Sequence, residues 1–229
     1  MTTQITQNYK EGGGDAGMTT PMAYFGRVSK SHPQVELMGQ IDWLRFRSVE
    51  LVGCLEDVGG MLEFYDEETE EMKPRFYQLK RVAEYLQENN FVLGAFAYWM
   101  NVPNKAKEWH FDEHLLVWLE EQVSVIKEQN HNFLLLHTPG SCASAIDNLR
   151  LTVRDTERAL WKAVDELSKD RPNIMKRLSQ HPGNINFGVL NRLADYLYFY
   201  YVWLLAQNSN SKRQEWDMTK VPEFHPAGD

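Results

Sequence analysis

The stretch from Asn148 to Arg158 constrains the fold of this chain more than any other. At 100° per residue, Ile146, Leu149, Val153 and Leu160 stack into one apolar stripe, which predicts a long helix with a buried seam. Arg150, Arg154 and Glu157 recur at i, i+4 and i+7 on the edge of that seam. Charges placed there lose hydration unless they meet partners. An exposed i,i+4 network accounts for them in the blandest way. Acidic side chains, a second subunit or an anionic ligand such as a nucleoside triphosphate are the other partners that would account for them, because the arginine fork binds carboxylate and phosphate bidentately.

The same periodicity recurs along the chain. Leu37, Ile41, Leu44, Leu51, Leu55, Val58 and Leu62 predict a helix from Pro33 to about Tyr65. Asp42 lies next to Ile41 on that stripe, where a carboxylate needs a cationic partner. Leu79, Val82, Leu86, Leu93 and Phe96 predict a second helix, from Pro74 to about Met100. A third runs from about Asp112 to Gln129. The fourth holds the opening stretch, begins near Ser141 or Ser144 and ends near Ser168. Residues 169–186 contain two prolines, a short basic helix and Gly183. A fifth helix starts at Asn186 or a neighbour and runs to about Gln207, and its polar trio Asn191, Arg192 and Asp195 requires partners. With no alternating strands and no repeat, the expected fold is all-α, a five-helix antiparallel bundle. Residues 1–33 form a loop segment before it, 34–207 the bundle and 208–229 a polar tail.

Composition narrows the function. A net charge of −8 argues against nucleic acid as a partner, which would require a basic face. The two cysteines, Cys54 and Cys142, have no metal spacing, so a reducing, cytoplasmic setting is expected. The longest aromatic-aliphatic run, Tyr196 to Ala206, is too short to span a bilayer, so no membrane is expected. The His110/His114 and Glu128/His131 spacings lack the remaining elements of their metal motifs, and no metal is assigned to protein side chains. The glycine cluster Gly12-Gly13-Gly14-Asp15-Ala16-Gly17 lets backbone N–H groups approach an anion, and Lys10, Arg27 and Lys30 stand near it. It is no Walker loop, since no Lys-Ser/Thr pair follows.

Taken in order, these segments resemble the PduO-type ATP:cob(I)alamin adenosyltransferases. Tyr9 to Thr20 is similar to the family's T-G-D-x-G-x-T loop, and Arg27-Val28-Ser29-Lys30 to R-V-x-K. Gly39 to Leu44 stands where the family has G-x-x-D-E-L-N, and Thr138 to Ser141 resembles its P-G-G-[ST] turn. Arg150 to Arg158 resembles R-x-x-C-R-R-A-E-R, and Leu190 to Asp195 resembles L-N-R-L-S-D. The resemblance covers most of residues 9–205.

It implies a homotrimer with sites between subunits, transferring the 5′-deoxyadenosyl group of ATP to the Co(I) of a corrinoid and releasing triphosphate. ATP, Mg2+ and cobalamin are the implied small molecules, and a corrinoid reductase or a B12-dependent client enzyme the implied protein partners. Carried over by motif, Gly14, Asp15, Gly17, Thr19, Arg27 and Lys30 hold ATP from one subunit; Arg154, Glu157 and Asn191 meet it from the neighbour. Arg154 and Glu157 are the catalytic candidates. Asp42 and Arg150 pair across the interface. Phe133, Tyr198 and Phe199 are the corrinoid-pocket candidates. The chain departs from the pattern at Gly13, Trp43, Arg45, Asp155 and Ala159. Those departures carry the alternative reading, a non-catalytic corrinoid or nucleotide carrier or sensor on the same bundle.

Overall fold

The predicted stripes become the seams of a helical bundle. The computed structural model describes residues 17–19, 27–62, 72–101, 109–129, 135–136, 141–207 and 213–214. Its helices, in chain order, are α1 (Pro33–Leu62), α2 (Met72–Asn89), α3 (Phe91–Asn101), α4 (Glu113–Gln129), α5 (Ser141–Asp170), α6 (Ile174–Ser179) and α7 (Ile185–Gln207). A single 3-10 turn, Pro182–Asn184, precedes α7. Two short antiparallel ribbons complete the description. In one, β1 (Met18–Thr19) pairs with β2 (Val28–Ser29). In the other, β3 (Leu135–Leu136) pairs with β4 (Arg213–Gln214), so part of the polar tail is hooked to the segment before α5 by its backbone.

Helix directions follow from the contacts. Lys80 reaches Glu56 at 3.1 Å, while Asn90 donates to the Ile41 carbonyl at 2.9 Å, so α2 runs antiparallel to α1. Cys142 lies against Cys54, Thr156 against Gln40 and Lys162 against Glu36, so α5 is antiparallel to α1 as well. Trp161 packs on Phe187 and Arg150 over Tyr198, which sets α7 antiparallel to α5. On the far side, α4 runs in the same direction as α7, with Leu116 against Gly188 and Glu120 against Arg192. The core between these helices is built from the residues the periodicity singled out: Leu37, Leu44 and Leu51 of α1, Leu79 and Leu86 of α2, and Ile146, Leu149, Val153 and Leu160 of α5 are all fully buried. Among the described residues, no helix is long and apolar enough to cross a membrane.

The predicted second helix is two, broken at Asn90. Its side chain leaves the helical pattern to donate to the Ile41 carbonyl, and Asn89 donates back to the Tyr85 carbonyl at 3.0 Å. Asparagine competes with the helix ladder in this way, and here the competitor is anchored on another helix. Asn186, expected at the start of the last helix, is its second residue. It is fully buried, accepts from the Phe111 backbone N–H at 2.9 Å and donates to the Trp109 carbonyl at 3.1 Å. The entry to α4 is thereby tied to the beginning of α7.

Residues 169–186 fold back onto α3. Arg171 donates to the Met100 carbonyl at 2.8 Å, and Arg177 stands over the Trp99 ring at 5.2 Å. His181 stacks on the same ring at 3.7 Å, and its Nδ1 accepts from the Gly183 N–H. Gly183 is buried against Phe96 so closely that a Cβ there would collide with the ring. Two of the basic residues of this insertion are therefore engaged in packing against α3.

Candidate active site

The site is assembled along the groove between α5 and α7. Because the two helices are antiparallel, residues of α5 taken in ascending order meet residues of α7 in descending order. Arg150 stands over Tyr198 at 5.8 Å; Glu157 faces Asn191; Trp161 packs at a tilt against Phe187 with ring centroids 4.3 Å apart. Ile146, Leu149, Val153 and Leu160 face the core, which leaves Arg154 exposed and Glu157 half-buried at the seam's edge, as their spacing predicts.

The electrostatics centre on Glu157. Burial raises its pKa; the Asn191 amide and the positive charge of Arg154 oppose that rise, and Asp195 adds to it. A carboxylate, a guanidinium and an amide thus converge at one place on the surface of the protomer. The polar trio of α7 finds the partners it required. Asn191 meets Glu157, while Arg192 reaches Glu120 of α4 and Asp195 one turn on, both at 3.3 Å.

At the beginning of the chain, β1 and β2 form a hairpin that brings Gly17, Thr19, Arg27 and Lys30 together. Gly17 has φ of +71°, a left-handed conformation that a side chain would strain. Its carbonyl accepts from the Lys30 N–H at 2.8 Å, closing the hairpin. Gly14 and Asp15 lie outside the described residues, as does Phe133. Tyr198 and Phe199 are half-buried with rings 5.3 Å apart, and burial raises the Tyr198 phenol while Arg150 opposes the rise.

Asp42 and Arg150 do not meet within the protomer. Asp42 is exposed on the single chain, one 100° step off the seam marked by Ile41. Arg150 pairs with Asp147 of its own helix at 2.7 Å.

The comparisons with known proteins give the family. Residues 10–204 match the family model described as cobalamin adenosyltransferase. The chain belongs to the cobalamin adenosyltransferase family. That family carries out ATP-dependent adenosyl transfer to a corrinoid. Among solved structures, the chain is similar to a variant PduO-type ATP:co(I)rrinoid adenosyltransferase from Lactobacillus reuteri complexed with ATP. The two are 19% identical, with a TM-score of 0.51, and the match covers 89% of this chain and 97% of that one. At that identity the likeness establishes the all-α fold. No curated protein matches the chain.

Membership in the adenosyltransferase family gives the departures a physical reading. Asp155 is paired with Arg158 on the same helix, so its negative charge is balanced next to the groove. Ala159 is 1% exposed and packs in the core, where an arginine could not be housed without burying its charge. Trp43 and Phe46 are exposed on α1 with Arg47 over both rings, at 5.3 and 5.6 Å. Trp161, an isolated aromatic on an otherwise charged face of α5, had no signal in the sequence.

Proposed function

We propose that this chain transfers the 5′-deoxyadenosyl group of ATP to the Co(I) of a corrinoid within a homotrimer. The observation that carries the reading is the convergence of Arg154, Glu157 and Asn191 on the exposed α5–α7 groove. These are the residues that the family's two arginine- and asparagine-containing motifs place at the nucleotide. The hairpin with Gly17, Thr19, Arg27 and Lys30 belongs to the other half of the site. It leads directly into α1, whose beginning lies towards Glu166, because α5 is antiparallel to α1 and Lys162 pairs with Glu36 one turn in. Nine residues of helix, about 13 Å, separate Glu166 from Glu157. That distance favours a groove completed by the hairpin of a second copy.

In the reaction, cobalt supplies the electron pair. It attacks C5′ of ATP, the C5′–O bond breaks, and that bond's electrons leave with triphosphate. The protein needs no nucleophile of its own, and its part is to hold the two reactants in line. Arg154 offers charge-assisted hydrogen bonds to the triphosphate, while Asn191 and Glu157 offer a donor and an acceptor to the ribose. Mg2+ carried in on the triphosphate oxygens would neutralise the leaving charge. The aromatic pair Tyr198 and Phe199 would line the corrinoid side, beyond Arg150.

An anaerobic assay tests the proposal. Purified protein, Mg-ATP and chemically reduced cob(I)alamin should lose the cob(I)alamin spectrum and yield adenosylcobalamin and triphosphate in equal amounts. Tight binding of ATP or corrinoid without turnover would replace this reading with the carrier or sensor. In Arg154→Ala, loss of one charge-assisted contact should weaken ATP binding about 10- to 100-fold.

A further inference from the structure

We infer that Cys54 and Cys142 form a redox pair: by exchange with a small-molecule disulfide they close into a cross-link between α1 and α5. The pair belongs to the α1–α5 seam and does not depend on the α5–α7 groove.

The fold, and not the sequence, makes the pair. The chain has two cysteines, 88 residues apart and on different helices, and both come to one point. The Cys142 thiol donates to the Cys54 carbonyl at 3.1 Å, so a side chain of α5 touches the backbone of α1. Further along the same seam, the Thr156 hydroxyl approaches the Gln40 carbonyl at 3.3 Å. Gln40 and Cys54 are fourteen residues apart, and so are Cys142 and Thr156. Antiparallel helices rise equally over equal numbers of residues, about 21 Å here, so one contact holds the other at the same level. Fourteen residues also bring a helix back to within about 40° of its starting direction, so each cysteine stands on the face that meets the other helix. Both thiols are free and half-buried, which leaves part of each open to a small reagent.

The surroundings suit a pair that rests reduced. Burial pushes the Cys142 thiol up to about 12, and the Cys54 side chain and the charge of Asp57 add to this. A thiol held in its protonated form is a poor first attacker, since the thiolate is the nucleophile. The first step therefore falls to Cys54. Its thiolate attacks one sulfur of the reagent, the reagent's S–S bond breaks, and one small thiol leaves with the proton that Cys54 gave up. Cys142 then loses its proton as its sulfur attacks Cys54 in the mixed disulfide, and the second small thiol leaves with that proton. The two protein thiols have lost two electrons and two protons, and the reagent has gained both. Once Cys54 is bonded, its negative charge no longer opposes ionisation of Cys142. The bridge closes a loop that holds α2, α3 and α4, and a long loop loses much chain entropy when bridged. Transient disulfides of this kind are the form that occurs in reducing compartments, so the pair is compatible with the setting expected from the cysteine content.

Oxidised glutathione is the probe. In excess over the folded full chain, it should remove both thiols together. The product should be lighter than the reduced chain by two hydrogens, run as a single chain in non-reducing electrophoresis and revert with dithiothreitol. Its urea midpoint should exceed that of the reduced form. In Cys142→Ser the second step is impossible, so the mixed disulfide of Cys54 with glutathione should accumulate. In Cys54→Ser, Cys142 should react about ten-fold more slowly than Cys54 does in its own single-cysteine variant. Retention of both thiols would overturn the pair. So would a bridge formed only between chains or only after unfolding in urea, or a wild-type chain that stops at the mixed disulfide. The wild-type measurements decide by themselves if a serine variant fails to fold.

Discussion

Asn191 on α7 faces the carboxylate of Glu157 on α5, across the seam that joins the two helices, and its amide favours the ionised carboxylate. The contact keeps a half-buried glutamate at the groove's surface with an amide and a guanidinium beside it. Its pKa is nevertheless raised, because burial outweighs what Asn191 and Arg154 return.

Glu157→Gln separates the site's function from its stability. A carboxyl whose folded pKa exceeds its unfolded value contributes stability that is present below the unfolded value and lost as pH rises through the folded one. At neutral pH the ionised glutamate is therefore a cost to the fold. The glutamine variant should have a urea midpoint at or above that of wild type at pH 7, with the difference shrinking towards pH 4, while adenosyl transfer falls at least ten-fold if one transition-state hydrogen bond is lost. A glutamine variant less stable than wild type at pH 7 would sink this account of Glu157.

Asn90→Ala should destabilise the protein by about 0.5–1.5 kcal/mol, the net worth of one hydrogen bond, because the Ile41 carbonyl keeps its place in the α1 ladder. The Asn90 amide is the donor to the Ile41 carbonyl and lies at the break between α2 and α3. Equilibrium denaturation measures the loss. A variant as stable as wild type would mean that this bond between helices adds nothing net.

Tyr196→Phe should do the reverse. Its ring is 1% exposed, and its hydroxyl has no hydrogen-bond partner among the described residues. Deleting an unsatisfied buried hydroxyl is expected to be neutral or to stabilise by about 1 kcal/mol, with the ring's packing against Trp118 retained. A clear loss of thermal stability would show that the hydroxyl is in fact bonded.

Alkaline pH should weaken the fold through three groups acting in one direction. Burial pushes the Cys142 thiol up to about 12, with the neighbouring Cys54 and Asp57 adding to it. Burial also raises the phenols of Tyr196 and Tyr200. Each favours its neutral form in the folded chain, so its contribution is intact below the unfolded value, 9.0 for the thiol, and is lost above it. Denaturation midpoints should hold to about pH 9 and then fall, with Cys142→Ala falling less steeply than wild type between pH 9 and 10. Parallel curves for the two proteins would exclude a role for the thiol.

Much of this was legible in the sequence, and the particular residues show why. The seams of α1, α2, α5 and α7 were readable because a 3.6-residue period is a local property, repeated at every turn. The edge position of Arg154 and Glu157 followed from the same count, since it depends only on their angle to Ile146, Leu149, Val153 and Leu160. The order of the motifs was enough to indicate the family. The break at Asn90 was not readable, because its partner is the Ile41 carbonyl, a distant backbone atom brought close only by the pairing of α2 with α1. Asp42 shows the limit of periodicity at the margin of a stripe: it is one residue from Ile41, yet a rotation of 100° carries it from seam to solvent. The meeting of Glu157 with Asn191, and of Trp161 with Phe187, depends on the register at which α5 and α7 lie antiparallel. The sequence by itself therefore determined which residues line each helix and which charges stand beside its seam. Only the tertiary structure decided which of those edges face one another, because that depends on packing between helices and not on the periodicity within one.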